Sequence, residues 1–122
     1  MSSVAQTVLL IGTLGCVLVN AVEVVAKAVR ARFVLKNCAE VGLDHRWIPH
    51  LAVIEGLGVI GLVIGLFRLP VLGLAAAGGL VLFFVVAIVV HIRARVFHTL
   101  AFPLGFLVLA VTAVGYFALR SG

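Results

Sequence analysis

Charge is scarce in this sequence: Asp, Glu, Lys and Arg make up 11% of its 122 residues, against about 25% in an ordinary soluble domain. Hydrophobic residues account for 65%, and there are 13 glycines besides. A folded domain this small leaves about 40% of its unfolded surface in water, so its interior cannot hide so many apolar side chains. A soluble enzyme, a disordered tail and a nucleic-acid-binding domain are all excluded on that ground. The formal charge of +5 does not restore the last of them. In so apolar a chain, basic residues flank membrane spans rather than track a nucleic acid. An integral membrane protein remains, with the lipid bilayer as its first partner.

Other absences narrow the chemistry. The two cysteines, Cys16 and Cys38, form no C-x-x-C pair, and about ten residues of helix (roughly 15 Å) separate Cys16 from the basic end of its span. A disulfide between them is not expected, and both read as small buried thiols. No H-E-x-x-H and no glycine-rich loop after a strand occurs. His45 and His50 flank Trp47 near the surface, and His91 and His98 lack a helical ligand spacing. No metal site and no cofactor is therefore expected. The apolar runs do not alternate with polar residues, which excludes a membrane barrel. No Lys or Arg precedes the first run, and that run is too long for a secretory signal, so it reads as a retained helix.

What is present is four apolar stretches, at about 4–28, 48–67, 71–90 and 100–119. Each reaches the roughly 20 residues that a helix needs to cross the hydrocarbon. The chain therefore reads as all-α, one integral membrane four-helix bundle over residues 1–122. Pro49 falls in the first turn of the second span and Pro70 in the turn before the third, where a missing N–H costs nothing. Lys27, Arg30, Arg32, Lys36, Arg46, Arg93 and Arg95 fall at the loops joining spans 1–2 and 3–4, with only Arg68 and Arg120 at the other end. The positive-inside rule then predicts that both loops are cytoplasmic. The longer loop, ARFVLKNCAEVGL, mixes Phe33, Val34, Val41 and Leu43 with Arg32, Lys36 and Glu40. That pattern predicts a short amphipathic helix in the interface, stopped by Gly42 and followed by Trp47 as an anchor.

Charge inside a span is expensive and marks a site. At 100° per residue, Gln6, Thr13, Cys16, Asn20, Glu23 and Lys27 fall within an arc of about 100° on the first span. Glu23 and Lys27 are spaced for an i, i+4 ion pair, although Lys27 snorkelling to the headgroups would also explain them. Glu55 lies some 10 Å below the basic interface, above Gly58, Gly61 and Gly65, whose small size turns that face toward protein. A bundle-holding hydrogen bond is its plainer role. His91 closes the third span above Gly73, Ala77, Leu80, Phe84 and Ala87. His98 shares a face with Gly105, Thr112 and Tyr116, the last suited to an aromatic belt. Asn20, Glu23, Lys27, Glu55, His91 and His98 all fall in one leaflet half, and convergence of their faces would make a pocket there.

With these residues placed, the chain resembles the DoxX-like family of small four-helix bacterial membrane proteins. The resemblance rests on NAVEVVAKAV at the end of the first helix, on EVGLDHRWIPHLAVIEGLGVIGLVIGL with its proline and Glu55, and on HIRAR with His91. Asn20 and Glu23 stand where the family more often carries small residues. The resemblance implies a bacterial cytoplasmic membrane and, in some members, quinone-coupled or complex-associated roles. It assigns no activity.

Two functions of different class follow. The first is a binding or accessory subunit, in which Glu55 and His91 hydrogen-bond a quinone- or lipid-like hydrophobic small molecule, helped by Asn20, Lys27 and His98. Alternatively within this class, the glycine stripe of the second span docks a partner, as a homo-oligomer or within a membrane complex. The second is a cofactor-free isomerase or cyclase acting on a hydrophobic substrate. There Glu55, kept protonated by burial, is the general acid and His91 or Glu23 the base, with Lys27 steadying negative charge. Proton-coupled transport would draw on the same residues, but four short helices without inverted repeats suit it poorly.

Overall fold

A computed structural model describes residues 2–121, and among them the only regular structure is helical. The elements are α1 (Ser3–Ala28), α2 (Arg32–Glu40), a single 3₁₀ turn (His45–Trp47), α3 (Ile48–Phe67), α4 (Pro70–Arg93) and α5 (Ala101–Ser121). The four helices α1, α3, α4 and α5 are each long and apolar enough to cross a membrane. The expected all-α architecture is the observed one, and α2 is the amphipathic helix between the first two spans.

Local chemistry explains the boundaries. The Ser2 hydroxyl accepts from the Ala5 amide at 3.1 Å and caps α1. Pro49 and Pro70 sit in the first turns of α3 and α4, where no intrahelical N–H is lost. Three helices end in the same way, with a left-handed residue followed by an amide that reaches back five positions. Ala31 bonds the Ala26 carbonyl after Arg30 (φ 54), Leu43 bonds that of Cys38 after Gly42 (φ 78), and Val96 bonds that of His91 after Arg95 (φ 56). α4 thus stays helical three residues past its apolar run, until this turn at Arg95 stops it.

Neighbouring helices are antiparallel and close into a ring, α1 against α3 and α5, and α4 against α3 and α5. The core between them is Cys16, Leu62, Ala77, Leu80, Phe84, Ala110, Ala113 and Phe117. Glycines let α3 and α4 approach closely: a Cβ on Gly61 would come within 2.6 Å of the Ala76 Cβ, and one on Gly65 would strike the Gly73 backbone. α2 packs separately, on Ala26, Val34, Cys38 and Ile48. Large apolar side chains cover the outer faces of all four long helices. This is a multi-pass membrane protein, and its perimeter belongs in lipid.

Candidate functional site

The last turns of α1 and the second turn of α3 bring three charges together. Lys27 Nζ donates to Glu23 Oε2 at 3.1 Å and to Glu55 Oε1 at 2.8 Å. The first contact is the i, i+4 pair visible in the sequence. The second crosses between helices, because Ala52, Glu55 and Leu62 share the buried face of α3. Glu55 is therefore not an isolated carboxyl; its partner is Lys27. Glu55 has no solvent exposure, and the Lys27 side chain is only 13% exposed.

Asn20, fully buried one turn further in along α1, donates through Nδ2 to the Cys16 carbonyl (2.8 Å) and to Cys16 Sγ (3.4 Å). Two buried acceptors then remain without a hydrogen bond, Asn20 Oδ1 and Glu55 Oε2. An ammonium has three N–H donors, and Lys27 uses two of them on the carboxylates. The network thus carries two free acceptors and one spare donor in apolar surroundings, where an unmet polar group is costly.

His91 and His98 are held elsewhere. His91 Nδ1 donates to the Ala87 carbonyl at 2.7 Å, which leaves Nε2 to accept from Asn37 Nδ2 at 3.3 Å. Asn37 also donates to Thr99 Oγ1 at 2.9 Å, so it ties α2 to both α4 and the turn before α5. His98 lies in that turn rather than on a helical face, 61% exposed, with Nε2 2.7 Å from Glu40 Oε2. The six residues expected to line one pocket therefore form two groups, Asn20, Glu23, Lys27 and Glu55 between α1 and α3, and His91 and His98 around α2. No hydrogen bond joins the groups among the described residues. Gln6 lies at the far end, in an open cleft of about 310 Å³ with Tyr116 and Arg120. The glycine stripe of α3 is occupied by α4 and is not a free docking face.

Asn37 and Thr99 are polar partners that the sequence reading passed over. Asn37 follows Val34 by three positions and precedes Cys38, so it stands on the inward face of α2, and that spacing was the available signal. Cys38, behind it, is buried, and burial pushes its thiol above the ordinary range against the opposing pull of Lys27. Both cysteines are free. Among the described residues no cluster of His, Cys, Asp and Glu is placed to hold a metal ion.

The model of the DoxX-like family matches residues 11–113, a stretch that contains Asn20, Glu23, Lys27, Glu55, His91 and His98. No curated protein and no solved structure matches the chain.

Proposed function

The chain belongs to the DoxX-like family, and from that premise we propose that it binds the polar head of a hydrophobic, quinone- or lipid-like molecule, alone or as an accessory subunit of a membrane complex. The observation that carries this reading is the pair of buried, unpartnered acceptors, Asn20 Oδ1 and Glu55 Oε2, beside a lysine with a donor to spare. A ligand carbonyl would accept from Lys27, and a ligand hydroxyl would donate to Glu55 Oε2. Either contact settles groups that are otherwise unmet in a low-dielectric site. Lys27, Glu55 and Asn20 are the contact residues in this reading, with Glu23 holding Lys27 in place. His91 and His98 keep α2 against the bundle. The basic ends face the cytoplasm of a bacterial cell by the positive-inside rule. The apolar perimeter offers room for a partner or a second copy.

An isomerase or cyclase needs its acid and base facing one substrate. Glu55 is turned to Lys27, and His91 is turned to Asn37. Binding is the reading preferred on that ground.

Native mass spectrometry of the protein released from nanodiscs tests it. The expected result is a stoichiometric small-molecule adduct that is lost in Glu55→Gln. A folded wild-type protein that carries no such adduct and copurifies with a second protein would leave only the accessory role.

A further inference from the structure

Besides Arg46, which pairs with Asp44, the face of the bundle that carries α2 holds five exposed cations: Arg30, Arg32, Lys36, Arg93 and Arg95. Among the described residues none of the five is ion-paired. The acids of this face are committed to other partners, Glu40 to His98 and Asp44 to Arg46. Arg32 and Lys36 share the outer face of α2, whose inner face is Val34 and Cys38. Large apolar side chains stand exposed among the charges: Val29, Phe33, Trp47 and Phe97. Cations interleaved with apolar groups suit the boundary between headgroups and acyl chains.

The backbone adds a second, independent observation. Of the three helices that end here on a left-handed residue, α2 uses Gly42, the residue which that conformation favours. α1 and α4 instead place Arg30 and Arg95 there, the only non-glycine residues with positive φ among those described. An L residue with a Cβ is strained in this region. Glycine would close both helices with less strain, so what the chain keeps at these two positions is the guanidinium.

We propose that this face is a docking surface for anionic phospholipid headgroups, with Arg30 and Arg95 as its principal phosphate ligands and Arg32, Lys36 and Arg93 beside them. Guanidinium groups match phosphate oxygens in a two-point fork, and a leaflet rich in anionic lipid supplies them at high local density. The surface is distinct from the buried Lys27–Glu55 network and does not depend on it.

Trp47 is the sole tryptophan and lies at this face, so its fluorescence reports on the neighbouring lipid. The full chain is reconstituted in phosphatidylcholine bilayers containing equal mole fractions of either brominated phosphatidylglycerol or brominated phosphatidylcholine. Stronger quenching by the anionic lipid, weakening as salt is raised, is the expected result. Arg30→Gly with Arg95→Gly lowers that preference by roughly fivefold per arginine, and Arg30→Lys with Arg95→Lys, which keeps the charge and the backbone demand but not the fork, gives a preference between that of the glycine pair and that of the native protein. Equal quenching by the two lipids in the native protein overturns the proposal. So does a preference unchanged in the glycine pair.

Discussion

Removing Lys27 and removing Glu55 have unequal consequences. Lys27→Met leaves the carboxylate of Glu55, which has no solvent exposure, without its cation. Orphaning one member of a buried pair costs about 3–5 kcal/mol. Glu55→Gln keeps the volume and leaves Lys27 its contact with Glu23, so its cost is smaller. Lys27→Met is expected to lower the thermal midpoint in detergent well beyond Glu55→Gln, and adding Glu55→Gln to Lys27→Met is expected to regain part of the loss. A thermal double-mutant cycle reads this directly, and strictly additive losses would show that the two residues do not interact. Half of this network was legible in the sequence. The spacing of Glu23 and Lys27 fixes an intrahelical pair, whereas the bond from Lys27 to Glu55 spans 28 residues and needs two helices in register.

Packing between α3 and α4 shows what a helix contributes beyond its residues. Gly65 faces the Gly73 backbone so closely that even a methyl group has no room, and backbone cannot swing aside as a side chain can. Gly78 and Gly79 on α4 have open space where a Cβ would go. Gly65→Ala is therefore expected to destabilise by about 1–3 kcal/mol through overpacking, while Gly78→Ala is neutral or slightly stabilising because alanine is the better helix former. Thermal unfolding of the two variants in one detergent compares them, and equal losses would refute the packing account. The burial of Gly73, Ala77, Leu80, Phe84 and His91 along one face of α4 was readable from helical spacing alone. Which helix that face meets was not, since every long helix here offers apolar surface all round.

At the scale of the molecule, a ring of four antiparallel helices with apolar outer faces sets the depth of every residue. Leu14, Leu57, Leu82 and Val111 are exposed near the middle of α1, α3, α4 and α5, while Phe33 is exposed on α2. Spin labels at the four mid-helix positions are expected to report the bilayer centre, with high accessibility to oxygen. A label at Phe33 is expected to report headgroup depth. A mid-helix label found in water would refute the four-span arrangement. The same arrangement separates the histidines from Glu55. His91 lies in the last turn of α4 and His98 precedes α5, and α2 contacts both, so Asn37 and Glu40 take the contacts that a simple pocket would have given to ligand.

Composition and periodicity by themselves determined that the chain is all-helical, that it has four apolar helices, and that a short amphipathic helix, stopped by Gly42, links the first two. Each of these follows from interactions within a few residues or with the surrounding medium: hydrophobic length, proline and glycine backbone limits, and i, i+4 spacing. Tertiary structure alone decided that Lys27 bridges two carboxylates, that the glycines of α3 face α4, and that Asn37 rather than a ligand meets His91. Those outcomes depend on which faces of nearly uniform apolar helices turn toward one another. In a membrane that choice rests on close packing and a few polar contacts between helices rather than on burial of apolar surface, so hydropathy carries little trace of it.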